Sequence, residues 1–189
     1  MSEPNELTII RQARLGNKNA LATLYQMHKV AIYTYVFYRV EGDSAVADDL
    51  TAEVFGRMVA KIHTFQPNGN PLLAWLYTIA RNLISDHYRE EKQNEKQLDD
   101  SLNHDNSIFV NQDPELSVQL TIDTQRLLQA LNKITAEQQE LVILRFIEGR
   151  TVAETAGIMG KQPGAVKTMS RRALASLQRI MEQEGYQHV

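Results

Sequence analysis

Residues 151–177 read TVAETAGIMGKQPGAVKTMSRRALASL, and this stretch predicts two helices joined by a tight turn. Thr151 is a suitable N-terminal cap for the first helix, and Gly160 marks the turn. Pro163 fits the first turn of the second helix, which needs no amide proton there. A short helix, a glycine-containing turn and a longer basic helix are the form of a helix-turn-helix. Many helix pairs share that outline, so the pattern alone leaves DNA binding open.

The second helix lies in an acid-free run. Residues 164–180 contain four basic residues and no acidic one, although the whole chain has a formal net charge of −3. With a helix start near Pro163, Val166, Ala173 and Leu177 share one side and are expected to face the core. Such a run is usually a solvated face. It also suits a helix that meets DNA, because a carboxylate there would repel phosphate.

The rest of the chain is also predicted to be helical, because apolar residues recur at spacings of three and four. In the C-terminal part, Thr135 is expected to cap a helix that Gly149 ends. In the N-terminal part, short connections favour a compact antiparallel bundle, with Asn19 capping its second helix. The four helices expected there cover approximately residues 5–14, 19–40, 47–62 and 72–84.

Charge divides the chain into three parts. Residues 1–92 carry ten basic and ten acidic residues, and residues 125–189 carry nine and six. Between them, residues 93–124 carry one basic and seven acidic residues and are rich in Asn, Asp, Gln and Ser, as is typical of a flexible linker. We therefore predict an all-α protein with two small helical domains, 1–92 and 125–189, joined by an acidic flexible linker.

Composition excludes several classes of function. The 189 residues include no cysteine, which rules out disulfides, a thiol nucleophile and cysteine-ligated zinc. The five histidines are scattered and no phosphate-binding glycine loop is present, so we expect neither an enzyme nor a bound metal or cofactor. No apolar run has the length of a membrane span, and the N-terminus carries acids where a signal peptide is basic. We expect a cytoplasmic protein.

Three motifs occur in a fixed order: ADDLTAEVF at residues 47–55, AWLYTIARNLISDHYRE at 74–90, and LRFIEGRTVAETAGIMGKQPGAVKTMSRRALASL at 144–177. Together they resemble the extracytoplasmic-function (ECF, group 4) RNA polymerase sigma factors of the sigma-70 family. The first two motifs resemble region 2 of that family and the third resembles region 4. The resemblance implies a dissociable subunit that binds core RNA polymerase, recognises the minus-10 and minus-35 promoter elements and helps to open the duplex.

The first motif is the candidate polymerase contact. Its spacing puts three acidic residues on one helix flank, namely Asp48, Asp49 and Glu53. In an arbitrary protein this would most often be a solvated face, and a metal site is disfavoured because no histidine lies at ligand spacing. The resemblance implies that this helix packs on the clamp helices of the largest polymerase subunit, where the acids meet basic residues. It also implies contact with the polymerase flap.

The second motif and the loop before it are the candidate minus-10 contacts. The loop HTFQPNGNP, residues 63–71, offers an aromatic ring and polar groups that can hold an unpaired base. The resemblance implies a pocket there for a flipped promoter base. On the following helix, spacings of four and three place a polar set on one face. The candidates are Phe65, Gln66 and Asn68 in the loop, and Asn82, Asp86 and Arg89 in the helix. Trp75 lies on the apolar stripe and is expected in the core.

The third motif supplies the candidate minus-35 contacts. Arginine can bind guanine bidentately, whereas lysine and hydroxyl groups more often fix position on phosphates. The candidates are Lys167, Thr168, Ser170, Arg171 and Arg172. The helix departs from the family pattern G-T-V-K-S-R-L-x-R-A at Ala165, Met169 and Ser170, which leaves the reading of individual bases open. We expect Met169 and Leu174 to repack in compensation.

Two other classes of function compete with this interpretation. A stand-alone helix-turn-helix regulator would bind duplex DNA by itself, but its dimerisation or sensing domain has no reason to carry ADDLTAEVF and AWLYTIARN. An enzyme is the weakest alternative, for the reasons given above. The partners expected from the resemblance are core RNA polymerase, promoter DNA and an inhibitory anti-sigma factor, with no small-molecule substrate.

Overall fold

The computed structural model describes residues 5–67, 71–98 and 122–183, and only the backbone of 94–98 and 122–123. Every regular element in these ranges is helical, which confirms the all-α prediction there. Most of the expected linker, 93–124, lies outside the described residues. At its two ends, the fourth helix continues to Leu98 and the fifth begins at Ile122. The helices are α1 (Glu6–Arg14), α2 (Lys18–Arg39), α3 (Ser44–Lys61), α4 (Leu72–Leu98), α5 (Ile122–Leu131), α6 (Ala136–Val142), α7 (Val152–Met159) and α8 (Pro163–Gln183).

Side-chain caps start the first three helices. The cap of α2 is Asn17, whose Oδ1 accepts from the Ala20 amide at 3.1 Å, and the expectation that Asn19 caps this helix is wrong. Asn19 already lies within the first turn of α2, where its carbonyl accepts from the Thr23 hydroxyl at 2.9 Å. The left-handed backbone of Gly16, with φ at 84°, ends α1 and brings Asn17 into the capping position.

Helices α1 to α4 form a bundle around one apolar core. On α2, Leu24, Ile32 and Val36 lie at helical spacing and are all fully buried. Burial of each such side chain stabilises the fold by about 1.5–3 kcal/mol relative to leaving it in water. Tyr35 of α2 meets Tyr77 of α4 edge-to-face, with ring centroids 5.0 Å apart. The bundle therefore fixes the exposed faces of α3 and α4.

Helices α5 to α8 enclose a second core, in which the predicted inward face of α8 is confirmed. Val166, Ala173 and Leu177 are at most 6% exposed. Capping boxes start α6 and α7 at Thr135 and Thr151, as their sequence indicates. Gly160 ends α7 in the left-handed conformation with φ at 64°, so α8 begins after a short turn. The α7–turn–α8 unit is the helix-turn-helix that the sequence predicts.

A π-helical turn, Ile143–Ile147, continues α6, where the sequence predicted an uninterrupted helix. The Glu148 amide donates to the Ile143 carbonyl at 2.9 Å, a bond that spans five residues instead of four. The turn buries Ile143 and Leu144 completely and leaves Phe146 47% exposed. It thereby directs two apolar side chains of the C-terminal part towards the N-terminal bundle.

The two helical parts are in contact. Ile143, Leu144 and Ile158 belong to the same apolar cluster as the N-terminal bundle. At a second place, Leu128 of α5 lies over Gly42, which follows α2. Nothing in the sequence pattern indicated this packing, and it determines which candidate site residues remain exposed.

Candidate nucleic-acid and polymerase interfaces

The acidic flank of α3, defined as Asp48, Asp49 and Glu53, is exposed as its spacing predicts. The opposite side of the helix is anchored by Val54, which is fully buried. Within the flank, the Glu53 carboxylate accepts from the Arg57 guanidinium at 2.9 Å, an exposed pair one turn apart. Exposed pairs of this kind contribute only about 0–1 kcal/mol, so the carboxylate can exchange partners readily. The flank can therefore present negative charge to a basic surface.

Apolar side chains are also exposed on α2 and α3. Tyr25 of α2 is 38% exposed. Its ring packs edge-on against Phe55 of α3 at 4.8 Å. Val59, one turn further along α3, is 50% exposed. Tyr25 and Val59 give this side of the bundle apolar surface of the kind found in the core of protein interfaces.

In the loop after α3, Phe65 and Gln66 have different environments. Phe65 is 7% exposed, and its ring packs against Trp75 with centroids 5.2 Å apart. Gln66 is exposed, and Asn68 lies outside the described residues. Trp75 is half-buried on the bundle, in line with its expected core position. A base entering here would meet Gln66 first, and Phe65 only after its contact with Trp75 had opened.

The polar face of α4 carries Asn82, Asp86 and Arg89. Asn82 and Arg89 are exposed and Asp86 is half-buried, so the structure places all three on the surface. The Arg89 guanidinium donates to Asp86 Oδ1 at 2.7 Å. Because this pair is largely in solvent, Arg89 can exchange the carboxylate for a phosphate at little cost.

The basic face of α8, defined as Lys167, Arg171 and Arg172, is exposed. The two hydroxyl candidates are half-buried and bonded within the helix: Ser170 donates to the Val166 carbonyl at 2.8 Å, and Thr168 to the Gly164 carbonyl at 3.2 Å. Hydroxyls held by the preceding turn are less available to DNA than the three charged groups. The structure therefore favours charge over hydroxyl contacts on this helix.

The departures from the family pattern in α8 have a local explanation. Met169 is half-buried and packs against the C-terminal core. Leu174, expected to repack with it, is 44% exposed and does not. A flexible methionine can fill an irregular gap in the core, while Lys167, Arg171 and Arg172 remain exposed.

Polar groups from both helical parts meet in a partly buried cluster. Arg81 of α4 donates to Glu140 of α6 through Nη2 at 2.5 Å and through Nε at 3.2 Å. Tyr77 of α4 donates to Glu148, which also accepts from Arg150 at 3.2 Å. Burial raises the pKa of Glu148 above its ordinary range. In the sequence, Arg81 directly precedes the minus-10 candidate Asn82, and no local pattern reports its partner Glu140, 59 residues away.

A cavity of about 450 Å³ opens beside this cluster. The N-terminal part lines it with Phe65, Trp75 and Thr78, and the C-terminal part with Gly157 and Met159 of α7. The candidate minus-10 loop and the first helix of the helix-turn-helix therefore share one cleft. Among residues 5–67, 71–98 and 122–183, no group of three or more acidic or histidine side chains is arranged to hold a metal ion. Within the same ranges, no helix combines the length and apolar character that a membrane span requires.

Comparisons with known proteins agree with the order of the motifs. Residues 24–94 match the family model of Sigma-70 region 2, and residues 124–177 match that of Sigma-70, region 4. The chain is 38% identical to the ECF RNA polymerase sigma factor BldN of Streptomyces coelicolor over 95% of this chain and 67% of that one. It is 30% identical to the ECF RNA polymerase sigma factor SigX of Bacillus subtilis over 84% of this chain and 82% of that one.

A similar fold is found in a solved complex. It is the sigma factor RpoE in complex with the anti-sigma factor NepR from Bartonella quintana. The TM-score is 0.59 and the sequence identity is 24%, and the match covers 85% of this chain and 96% of that one.

Proposed function

Because this chain belongs to the ECF RNA polymerase sigma factors, we propose that it binds core RNA polymerase and directs initiation at promoters through their minus-10 and minus-35 elements. The observation that carries the proposal is the helix-turn-helix of α7 and α8, whose basic face is exposed within the range matched by region 4. In this function the chain recognises the promoter and positions the polymerase on it, and the polymerase catalyses RNA synthesis. Its place of action is the cytoplasm, where the polymerase works.

The basic face of α8 is proposed to meet the minus-35 element. Arg171 and Arg172 are the candidates for bidentate contact with guanine in the major groove, and Lys167 for a phosphate. Thr168 and Ser170 are assigned supporting roles near the backbone, since their hydroxyls bond within the helix. The face keeps full positive charge because no acidic residue lies in residues 164–180.

The loop after α3 and the polar face of α4 are proposed to meet the minus-10 element. Gln66 and Asn68 supply polar groups for an unpaired base, and Asn82 and Arg89 contact the strand beside it. Asp86 orients Arg89 through their ion pair. Phe65 contributes a stacking surface once its ring has left Trp75. We divide the chain accordingly into a minus-10 and polymerase-binding domain, 1–92, a linker, 93–124, and a minus-35 domain, 125–189.

The acidic flank of α3 is proposed to bind the clamp helices of the largest polymerase subunit, while the C-terminal domain meets the flap. Exposed Tyr25 and Val59 support the first contact, since they add apolar area to a charged surface. We also propose that an anti-sigma factor holds the chain inactive. The fold it shares with RpoE, a sigma factor solved in complex with the anti-sigma factor NepR, supports that regulation.

The test is reconstitution of transcription from purified chain, core polymerase and fragmented genomic DNA, with mapping of transcript starts. We expect starts at defined sites that appear only when the chain is added. Polymerase without the chain is the control for background initiation. Specific duplex binding by the chain alone, with no new transcript starts, would identify a stand-alone regulator and refute the proposal.

A further inference from the structure

We propose that the contact between the two helical parts is autoinhibitory: Glu140 and Glu148 of the C-terminal part hold Arg81 and Tyr77 of α4 and restrict access to the cleft beside Phe65 and Trp75 in the free chain. We call these four residues the interdomain contact. The inference rests on the proposed function, because it concerns access to the minus-10 surface.

The Arg81–Glu140 pair is the centre of the interdomain contact. Its two charge-assisted hydrogen bonds are joined by a third bond, from Arg81 Nη2 to the Ile158 carbonyl at 3.3 Å. The Glu140 side chain is only 8% exposed, whereas Arg81 remains 35% exposed. A carboxylate buried without a partner would be strongly disfavoured. Glu140 is therefore buried because Arg81 of the other part neutralises it.

The second pair of the interdomain contact is incompletely satisfied. Tyr77 donates to one oxygen of Glu148, and the other oxygen, Oε1, is buried without a hydrogen-bond partner among the described residues. Water would solvate both carboxylates if the two parts separated, which offsets the loss of these bonds. The polar part of the contact is thus suited to reversible opening.

Apolar packing keeps the free chain closed. Ile143, Leu144 and Ile158 are at most 8% exposed, and each is packed in the cluster of the N-terminal bundle. Separation would return this surface to water at about 25 cal/mol per Å². A partner that covers the exposed surface, such as the polymerase, can supply the compensating free energy.

Closure affects the proposed minus-10 surface in two ways. Arg81 precedes Asn82, and while it holds Glu140 its guanidinium is not available to a promoter phosphate. The cleft beside Phe65 and Trp75 is closed on its other side by Gly157 and Met159. DNA and Glu140 therefore compete for Arg81, and the helix-turn-helix limits entry to the cleft that the flipped base would use.

The distance between the two parts can be measured directly because the chain contains no cysteine. Cysteines introduced at the exposed positions Gln12 of α1 and Ala175 of α8 accept spin labels in the full-length chain. In this background, Glu140→Gln combined with Tyr77→Phe should lengthen and broaden the distance distribution. Arg81→Gln, which breaks the pair from the other side, should have the same effect. Glu182→Gln removes an exposed charge from the same part of the chain and should have none.

A charge exchange separates the contact from a general loss of structure. The double variant Arg81→Glu with Glu140→Arg restores an ion pair of opposite polarity, so it should return the distribution towards that of the parent. Helical circular dichroism and a cooperative melt check that each variant is folded. Unchanged distances in the folded Glu140→Gln/Tyr77→Phe and Arg81→Gln variants would overturn the proposal.

The inhibitory consequence is tested with a fluorescent single-stranded DNA that carries the minus-10 sequence mapped by transcription. If closure lowers the competent fraction, Glu140→Gln/Tyr77→Phe should bind this probe roughly tenfold more tightly, and Glu182→Gln should bind like the parent. Longer distances without tighter binding would refute autoinhibition. Failure of the proposed function would appear separately, as absent transcript starts, since the distance measurement needs neither DNA nor polymerase.

Discussion

Leu128 of α5 lies so close to Gly42 that a β-carbon on the glycine would stand 2.6 Å from Leu128 Cδ1. Gly42 follows α2 with φ at 85°, next to Glu41, which also has a positive φ of 61°. Leu128 itself belongs to the C-terminal part of the chain. A turn in the N-terminal bundle therefore both requires glycine for its backbone and provides the space for a side chain of the other part.

Replacing Gly42 by alanine should destabilise the protein by about 1–2 kcal/mol, because a left-handed backbone penalises a β-carbon by that amount. The end of the Leu128 side chain can rotate to relieve much of the close approach. Chemical denaturation monitored by circular dichroism measures the change. The control is Gly56→Ala in the middle of α3, where nothing lies within 4 Å of a β-carbon. That variant should gain roughly 0.5–1 kcal/mol, and a similar loss in both would contradict this assignment.

Removing one arginine from the basic face should weaken promoter recognition without affecting the polymerase contact. For Arg171→Ala or Arg172→Ala we expect a loss of about 1–3 kcal/mol in promoter affinity of the reconstituted holoenzyme if that side chain reads a base. Core binding should stay at the parent value. Arg179→Ala, further along α8, is the matched control and should act only weakly through the backbone or not at all. Loss of core binding in Arg171→Ala would place the polymerase interface on α8 instead.

Reversing a charge on the acidic flank should weaken the binding of core polymerase, which the arginine variants of α8 are expected to leave unchanged. Asp49→Lys would bring a cation towards a basic partner surface, and like charges opposed across an interface cost several kcal/mol. We expect core polymerase affinity to fall strongly and the melting temperature to change little, since Asp49 is exposed. Glu182→Lys makes the same change of charge on α8 and should retain affinity. Equal affinities for Asp49→Lys and the parent would remove the flank from the interface.

His28 should make stability dependent on pH. Burial lowers its pKa below the ordinary 6.5, and nearby Arg150 lowers it further, although Glu6 at 3.0 Å opposes both. The unfolded chain therefore binds a proton more readily, and stability is lost as pH falls through 6.5. The slope from one group is at most about 1.4 kcal/mol per pH unit. Glu148 has a raised pKa and therefore the opposite effect. The stability that its protonation contributes is present below pH 4.5 and is lost as pH rises above that value.

A comparison of variants isolates the contribution of His28. Denaturation of His28→Gln between pH 7.5 and 5.5, a range chosen to span roughly one unit on each side of an ordinary histidine pKa, should show a smaller loss of stability than the parent. His63→Gln replaces an exposed histidine and should follow the parent curve. If His28→Gln also follows that curve, His28 does not carry the proton difference.

Local features were predictable from the sequence because they depend on neighbouring residues. The caps at Thr135 and Thr151 and the inward face of α8 follow from side-chain chemistry and helical period, as does the exposure of the acidic flank. The error at Asn19 arose because two asparagines two residues apart both satisfy a capping pattern, and only the end of α1 selects Asn17.

Other features depend on residues far apart in the chain, and helical period carries no information about them. The burial of Phe65 requires Trp75 to stand beside it, which is known only once the loop and α4 have packed. The partnership of Arg81 and Glu140 depends on how two complete bundles meet. In the sequence, nothing distinguishes Arg81 from the other polar residues near the candidate DNA contact Asn82.

The π-helical turn Ile143–Ile147 determines the direction in which the side chains after it point. An α-helix rotates its side chains by about 100° per residue, so one residue more or less in this turn changes direction by more than a quarter of a revolution. Deleting one residue would leave the composition and apolar content almost unchanged, yet it would aim Glu148 away from Tyr77. A conventional helix at this point would thus give the same two domains a different mutual orientation.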